Sequence, residues 1–500
     1  RFSILESAKA RPLLDYGKLS FGGIDVFVLP TPGHTTGSVS FLVETPEGIA
    51  AFTGDLVYAP GKVWSLAATQ WSYNGGEGIA YTILSLLDLE KRGVRWFLPS
   101  HGGLMAAGEA AAPTVERLTR LKELRRHNPR LFSLREQPYE KISEHVLFNR
   151  TSMANSYVLL SDSGKALVID FGYDFMAGIA SGTDRSARRP WLYTIPMLRE
   201  QFAVTSIDAC LPTHYHDDHV AGFNLLRRVC KTKVICPDFF ADILEHPDRC
   251  DLPCLWYDPI PVDRRVKCGE PFCWEEYEIT PFAMSGHTRY EAAYFFEADG
   301  QKFLCTGDQY EADGTLPNYV YKNLFSWEDF AQSASLYRSL SPDWILSGHW
   351  PFIRPDEAFY DRLEETGREL WKLHEQLMPE GIFSDGGKEG KSCEDFLLRF
   401  FPYQLQTGCG AAFSVRICLT APVKGETILE LILPEGFSCP DPVRRLPEGE
   451  RSCEFSLTAS DKPGRRARIG CRMETVNRQG EEKLWGTQAE MLVTVKEETV

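Results

Sequence analysis

Apolar residues along the chain recur in short runs that end in Gly, His or Asp, a pattern typical of strands leading into loops. One run, "KLSFGGIDVFVLP" (18–30), precedes Gly-His-Thr at 33–35. Another, "EPFCWEEYEITPFAM" (270–284), precedes Gly-His-Thr at 286–288. Charged stretches with helical periodicity follow later, at 113–126 and 355–377. The pattern predicts two successive copies of a unit in which strands are followed by a helix.

The two copies share further features in the same order. Thr-Gly-Asp occurs at 53–55 and at 306–308, so that the aspartate comes 21 positions after the histidine in both copies. Each copy then has an apolar run ending in histidine, "VRWFLPSHG" (94–102) and "PDWILSGHW" (342–350). Agreement in order over four features, with one identical spacing, indicates a duplication.

The copies differ in what precedes them. The second has strand and helix patterns over roughly 132–284, whereas only 33 residues precede His34 in the first. The first copy therefore contains the back half of a domain and lacks the front half. The chain does not begin with Met and the first copy keeps its ligand-type residues, so we expect truncation rather than a degenerate copy.

Composition and pattern divide the chain into four parts. We expect residues 1–128 to be the C-terminal half of a first domain and residues 129–380 to be a complete second domain. Residues 381–392 are rich in Gly and polar side chains, which indicates a linker. Residues 393–500 contain short alternating runs between turns, which predicts a separate β-sandwich.

Charge and cysteine usage narrow the function classes. The formal charge of −15 argues against nucleic acid or an anionic membrane as the main partner. The chain has no run of 18 apolar residues, and most of its cysteines are single residues within apolar strands. We therefore expect a cytoplasmic protein that acts on a small-molecule substrate. An oligomer is compatible with the sequence. The cluster Cys250, Cys254, Cys268 and Cys273 is either a zinc clip or a set of scattered loop cysteines.

The strongest chemical signal is "THYHDDHVAG" at 213–222. His214 and His216 are two residues apart, so their side chains point to the same side of an extended segment. Asp218 and His219 follow where a helix is expected to begin, which aims a second pair of ligands at an adjacent point. Imidazole and carboxylate ligands suit zinc, iron or manganese.

The second copy adds three further candidate ligands, each at a strand end. Seven ligands exceed what one tetrahedral metal needs and suit two divalent metals, zinc first, with iron or manganese as alternatives. The expected division is His214, His216 and His287 on one metal, Asp218, His219 and His349 on the other, and Asp308 between them.

In the first copy, His34, Asp55 and His101 occupy the corresponding positions. No paired-histidine motif precedes them among the residues present. They predict an incomplete second site that would hold a metal only weakly.

These motifs resemble those of the metallo-β-lactamase superfamily: His-x-His-x-Asp-His at 214–219, Gly-His-Thr, Thr-Gly-Asp and a terminal Gly-His. The resemblance covers about 130–378 in full and about 15–126 in part. It implies an α/β fold, the αββα sandwich, preceded by a partial copy and followed by an all-β sandwich. His219 makes the chain similar to the branch that contains glyoxalase II and lactonases.

The resemblance implies a dinuclear metallohydrolase in which a metal-bridged hydroxide attacks an ester, thioester or lactone carbonyl. Asp218 is the candidate for proton transfer. Tyr310 is a candidate substrate contact, with core packing as its alternative. Trp350 and Pro351 after the last histidine, and a β-sandwich where glyoxalase II has a helical domain, argue against glutathione thioesters.

Two other activities remain open on the same fold. One is an iron-dependent redox enzyme, and the other is a phosphodiesterase or nuclease. The substrate itself depends on walls that we expect around 175–190 and 310–325.

Overall fold

The computed structural model describes most of the chain. The described residues are 13–71, 77–125, 129–174, 194–317, 326, 328–377, 398–420, 423, 425–476 and 483–497. The expected linker 381–392 and the expected loop around 175–190 lie outside these ranges, as does most of 318–327. Among the residues described, no helix combines the length and the apolar character that crossing a lipid bilayer requires.

The first part of the chain forms one sheet with helices packed on it. Its strands are β1 (Lys18–Phe21), β2 (Ile24–Pro30), β3 (Val39–Thr45), β4 (Gly48–Gly54), β5 (Val94–Pro99) and β6 (Met105–Ala106), in that spatial order. Its helices are α1 (Glu77–Lys91), α2 (Ala107–Leu124) and α3 (Leu131–Glu136). Neighbouring strands are antiparallel except β4 and β5, which run parallel because α1 crosses between them.

The next part contains two sheets. The seven-stranded sheet has the order β13-β12-β11-β10-β9-β8-β7 and comprises β7 (Tyr139–Lys141), β8 (Val146–Asn149), β9 (Ser156–Leu160), β10 (Lys165–Ile169), β11 (Ser206–Leu211), β12 (Lys233–Pro237) and β13 (Arg264–Val266). The five-stranded sheet follows chain order with β14 (Phe272–Trp274), β15 (Tyr277–Ala283), β16 (Ala292–Ala298), β17 (Gln301–Gly307) and β18 (Trp344–Ser347). The helices are α4 (Ile195–Phe202), α5 (Asp217–Val220), α6 (Phe223–Cys230), α7 (Asp238–Glu245), α8 (Asp329–Leu340) and α9 (Glu357–Leu377).

Alternate side chains of β16 reveal how these layers stack. Tyr294 and Phe296 lie in a core shared with the seven-stranded sheet, whereas Ala293 and Phe295 contact the core formed with α8 and α9. Because successive side chains of a strand point to opposite faces, a strand buried on both faces lies in an inner layer. Helices α4, α6 and α7 contribute to the core of the seven-stranded sheet. The αββα fold expected from the motifs is therefore confirmed.

The five-stranded sheet repeats the topology of the first sheet. In each, antiparallel strands are followed by a parallel pair, β4 with β5 and β17 with β18, and the first sheet adds β6 antiparallel to β5. The register of both parallel pairs shifts just before the glycine of Thr-Gly-Asp, Gly54 or Gly307. This repetition gives the sequence duplication a structural counterpart.

The last part of the chain consists of strands in two sheets. One has the order β19-β21-β24 and the other β20-β26-β25-β22-β23. The strands are β19 (Leu398–Phe401), β20 (Gln404–Gly408), β21 (Ala412–Leu419), β22 (Glu426–Ile432), β23 (Val443–Leu446), β24 (Ser452–Thr458), β25 (Gly464–Val476) and β26 (Lys483–Lys496). Ile417 and Phe455 of the first sheet share one core with Ile469 and Met473 of the second, which makes a β-sandwich.

The sandwich contacts one loop of the preceding unit, residues 249–255. Nη1 of Arg399 donates a hydrogen bond to the carbonyl oxygen of Asp251 at 3.3 Å. The N–H of Tyr403 donates to the carbonyl oxygen of Arg249 at 2.9 Å. The loop 249–255 thus joins the sandwich to the αββα unit.

Candidate metal centre

All seven candidate ligands of the second copy follow the C-terminal ends of strands. His214, His216, Asp218 and His219 come after β11, with Asp218 and His219 inside the four-residue helix α5. His287 follows β15, Asp308 follows β17 and His349 follows β18. The first four therefore belong to the seven-stranded sheet and the other three to the five-stranded sheet, and they meet at one edge of the sheet pair.

The structure brings these side chains into two adjacent groups. His214, His216, His287 and Asp308 offer ligand atoms that all lie within 4.8 Å of one another, and so do Asp218, His219 and His349. In the part of the chain that the structure describes, these are the groups of three or more such side chains. The three histidines of the first group and the three residues of the second are those that the sequence assigned to separate metals, and Asp308 falls within the first group.

Asp308 lies between the two groups. Its Oδ1 is 3.3 Å from Nε2 of His219. Its Oδ2 is 3.5 Å from Nε2 of His287 and 3.2 Å from Nε2 of His349. The carboxylate therefore faces nitrogen atoms of both groups, as a ligand shared by two metals must.

Several inward-facing atoms of the cluster fit a bound metal. Nε2 of His214, Nε2 of His219 and Oδ1 of Asp308 are buried, and none of them has a hydrogen-bond partner among the described residues. Leaving a buried polar atom without a partner costs about 1–3 kcal/mol, and three converge here. A divalent cation would satisfy all three, and the nitrogen and oxygen donors are those that zinc, iron or manganese bind.

The tautomers of two histidines follow from their outer contacts. Asp170 Oδ2 lies 2.9 Å from Nδ1 of His219, and because a carboxylate only accepts, that nitrogen carries the proton. Thr213 donates its hydroxyl proton to Asp170 at 2.7 Å, so its oxygen accepts from Nδ1 of His214 at 3.0 Å. In the neutral form of each ring the proton is therefore on Nδ1, and Nε2 is the atom available to a metal.

Asp170 and Thr213 were not predicted as site residues. The available signal was a polar side chain at the end of a buried strand, since Asp170 follows β10 directly. Its Oδ1 also accepts a hydrogen bond from the N–H of Thr213 at 2.7 Å. Glu291, fully buried beside His214 and Asp308, was missed as well.

In the absence of metal, the pKa values of the histidines shift in opposite directions in the two groups. Burial, reinforced by neighbouring histidine charges, lowers the pKa of His214 well below its ordinary value and that of His216 to about 3. Burial also lowers the pKa of His287. The first group therefore holds neutral imidazoles, the protonation state that binds a metal.

The second group carries charge. Burial opposes protonation of His349, but Asp308 and the hydrogen bond with Asp218 outweigh it and raise its pKa to about 10. His219 behaves alike, since Asp308 and Asp218 raise its pKa well above the ordinary value despite burial. For Asp308 itself, burial disfavours ionisation, but the charges of His219 and His349 hold its pKa well below the usual range.

The structure contradicts a substrate contact for Tyr310. Its side chain is only 2% exposed, and its hydroxyl donates to the carbonyl oxygen of Phe330 at 2.8 Å. Its ring packs on Phe330 and Tyr337 in the core beneath α8. The packing alternative therefore holds for this residue.

The candidate ligands of the first copy meet in a different way. Nδ1 of His101 is 2.6 Å from Oδ1 of Asp55, and Nε2 of His34 is 3.6 Å from Oδ2 of the same aspartate. The ring of His101 stacks on Trp64 with centroids 3.9 Å apart. Among the described residues they do not form a three-ligand group within 4.8 Å.

The cysteine cluster likewise forms no metal group among the residues described. Cys250, Cys254, Cys268 and Cys273 are all free thiols, and Cys254 and Cys273 are exposed. No described cysteine shares a group of three or more converging ligand atoms. Of the two alternatives from the sequence, scattered loop cysteines fit this arrangement better than a zinc clip does.

Solved structures that are similar to part of this chain include several metallo-β-lactamases. A motif mutant of the metallo-β-lactamase from Cronobacter sakazakii is 17% identical, with a TM-score of 0.37, covering 49% of this chain and 100% of its own. BJP-1, a subclass B3 metallo-β-lactamase of Bradyrhizobium japonicum, is 16% identical, with a TM-score of 0.34, covering 48% of this chain and 93% of its own. GOB-18 from Elizabethkingia meningoseptica is 14% identical, with a TM-score of 0.36 and the same two coverages.

Curated proteins show no significant sequence match to this chain. The family model of the metallo-β-lactamase superfamily, in contrast, matches residues 4–125 and 150–349. The two matched stretches correspond to the two copies and together span more than half of the chain. The chain therefore belongs to the metallo-β-lactamase superfamily.

Proposed function

We propose that the protein is a dinuclear metal-dependent hydrolase that acts on a small ester, thioester or lactone. One observation carries the proposal: two adjacent ligand groups share Asp308, and inward atoms of His214, His219 and Asp308 lack hydrogen-bond partners among the described residues. Membership in a superfamily of mostly hydrolytic enzymes supports it. Two ions, zinc first and iron or manganese as alternatives, would each have three side chains of their own.

The metals, when bound, supply Lewis acidity and lower the pKa of a coordinated water. The chain determines where substrate can approach. The side chains of Asp218 and His349 are 22% and 29% exposed, whereas those of His214, His219 and Asp308 are 7% exposed or less. The centre is therefore open on the side of Asp218 and His349.

Asp218 is the residue that we propose for proton transfer. Its Oδ2 lies 3.1 Å from Nε2 of His349 at the open side of the centre. Burial disfavours its charge, but His219 and the hydrogen bond with His349 outweigh burial and lower its pKa. A carboxylate at the open side of the centre is within reach of an attacking water and can accept its proton.

The substrate class follows from charge and from the ligand set. His219 in the position after Asp218 supports the glyoxalase II and lactonase branch. The net charge of −15 disfavours nucleic acid and anionic membranes, so we propose a small-molecule substrate. Free thiols throughout the described residues are compatible with a reducing compartment, and we place the protein in the cytoplasm.

Metal analysis and a substrate panel test the proposal. We expect two divalent ions per chain by mass spectrometry and hydrolysis of thioesters, aryl esters or lactones. We expect His216→Ala to lower that hydrolysis more than about 100-fold, because it removes a ligand itself. His246→Ala, at the end of α7, is the matched control and should retain activity.

Other outcomes would favour the alternatives. Stoichiometric iron with oxygen consumption would indicate the redox enzyme. Cleavage of bis-p-nitrophenyl phosphate without ester hydrolysis would indicate a phosphodiesterase. Less than one metal per chain together with an active His216→Ala variant would refute the dinuclear hydrolase.

A further inference from the structure

Glu291 is a fully buried carboxyl group beside two candidate metal ligands, His214 and the shared Asp308. Its side chain is 0% exposed, and it lies at the entry to β16. Its Oε1 accepts a hydrogen bond from the N–H of Asp308 at 2.9 Å and lies 4.0 Å from Nδ1 of His214. A single side chain therefore lies against the shared ligand and against a ligand of the first group.

The backbone of Glu291 links the two sheets at the same place. Glu291 and His214 form an isolated antiparallel bridge, and the N–H of Ala292 donates to the carbonyl oxygen of Thr213 at 2.8 Å. On its other side, the carbonyl oxygen of Glu291 accepts from the N–H of Met284 at 2.9 Å. The position of its side chain is thus fixed by hydrogen bonds to both sheets.

The glycine of Thr-Gly-Asp leaves the space that this carboxyl group occupies. Gly307 has φ of +54°, in the left-handed region that favours glycine. A Cβ atom on Gly307 would lie 2.4 Å from Oε1 of Glu291 and 2.9 Å from Oγ1 of Thr213. The motif glycine and the glutamate therefore fit each other sterically.

The first copy provides an internal comparison. Four residues after its histidine, where the second copy has Glu291, the first has Ser38. The Ser38 hydroxyl accepts from the N–H of Thr35 at 3.1 Å, a contact within its own turn. A carboxyl group that contacts the shared aspartate is thus found in the second copy, which has the complete ligand set, and is replaced by a serine in the first.

We propose that Glu291 is a positioning residue of the metal centre. By accepting the Asp308 N–H, it fixes the backbone that carries the shared carboxylate, and its packing against His214 restricts that ring. The other oxygen of Glu291, Oε2, is buried without a hydrogen-bond partner among the described residues, so burial of this carboxyl group costs free energy. A role in aligning the ligands accounts for a costly group at this position. This inference rests on the metal centre of the proposed function.

Two substitutions separate the hydrogen bond from the bulk of the side chain. Glu291→Gln keeps an acceptor oxygen for the Asp308 N–H, whereas Glu291→Met keeps a similar volume without it. Glu291→Ser introduces the residue of the first copy. Glu297→Gln, at an exposed position near the end of β16, is the matched control.

The readouts are metal affinity, by competition with a chromogenic chelator, and the visible spectrum of the Co(II)-loaded protein. We expect Glu291→Met and Glu291→Ser to lose affinity about 10–100-fold and to change the Co(II) bands. Glu291→Gln and Glu297→Gln should retain both. If Glu291→Ser fails to fold, judged by circular dichroism of the metal-free protein, Glu291→Met still gives the answer.

The outcomes distinguish this inference from the proposed function. Unchanged affinity and an unchanged Co(II) spectrum in folded Glu291→Met would overturn the role of Glu291 alone, as would an equal loss in Glu291→Gln. Failure of the unaltered chain to bind metal would instead overturn the metal centre and this inference with it.

Discussion

Oδ2 of Asp170 lies 2.9 Å from Nδ1 of His219, on the side of the ring away from the metal centre. The same carboxylate accepts the hydroxyl and the N–H of Thr213, each at 2.7 Å. Through Thr213 it also determines the tautomer of His214. One aspartate outside the ligand set therefore orients ligands of both groups.

We expect Asp170→Asn to lower metal affinity about 10–100-fold, because an amide no longer forces the proton onto Nδ1 of His219. Asp170 has φ of 55°, a conformation that Asn tolerates, so the substitution adds little backbone strain. Chelator competition measures the effect. Asp208→Asn on β11, which keeps an acceptor for the Trp274 indole N–H, should leave affinity unchanged. Equal affinities in the two variants would contradict the role of Asp170.

Tyr310→Phe should leave hydrolysis unchanged. The hydroxyl of Tyr310 donates to the Phe330 carbonyl oxygen, and the ring lies in the core. Loss of that hydrogen bond should cost about 1 kcal/mol of unfolding free energy. Urea unfolding and kcat/KM on the best substrate measure the two effects. A large fall in kcat/KM with unaltered stability would indicate that Tyr310 does contact the substrate.

The pair of His145 and Asp299 predicts a pH-dependent contribution to stability. Nδ1 of His145 lies 2.6 Å from Oδ1 of Asp299, and this hydrogen bond raises the pKa of His145. Since the folded pKa exceeds the unfolded one, the stabilisation is fully present below about pH 6.5 and is lost as the pH rises through the folded value.

We therefore expect His145→Gln to lower the free energy of unfolding by about 1 kcal/mol at about pH 5.5 and by much less at about pH 9. Urea unfolding of metal-free protein at the two pH values measures the difference. A destabilisation that is equal at both pH values would show that the charge of His145 is not involved.

Arg399 offers a test of how the sandwich supports the centre. It bonds Asp251 in the loop 249–255, and in the same loop the carbonyl oxygen of Cys254 accepts from the N–H of Asp217 at 2.9 Å. We expect Arg399→Ala to accelerate hydrogen exchange at the Asp217 amide. Arg416→Ala, which removes an exposed ion pair with Glu454, is the control and should not. Unaltered hydrogen exchange at the Asp217 amide in Arg399→Ala would show that the sandwich does not stabilise the loop that carries the ligands.

The fold and the grouping of the candidate ligands could be predicted because both depend on local order. His214 and His216 follow one strand, while His287, Asp308 and His349 end others, and strand ends at one edge of a sheet pair meet. The duplication repeated the same order of strands and motif residues, which supported the strand assignment independently. These features require only spacing and strand assignment.

Residues that act through long-range contacts escaped prediction. Asp170 follows β10, more than forty residues before His219, and only the parallel pairing of β10 with β11 brings it to Thr213. Tyr310 follows Asp308 closely, but its direction is set by where α8 packs, which spacing does not determine. Glu291 lies in a segment with no motif of its own, and its importance depends on the bridge to His214.

The origin of the ligands in both sheets has a consequence for the abundance of the protein. A metal held by His216 and His287 is bound only while the two sheets stay together, so its binding free energy adds to that of folding. Metal-depleted chains would unfold more often and be degraded faster. The amount of this protein in a cell would therefore follow the supply of metal directly, without a dedicated sensor.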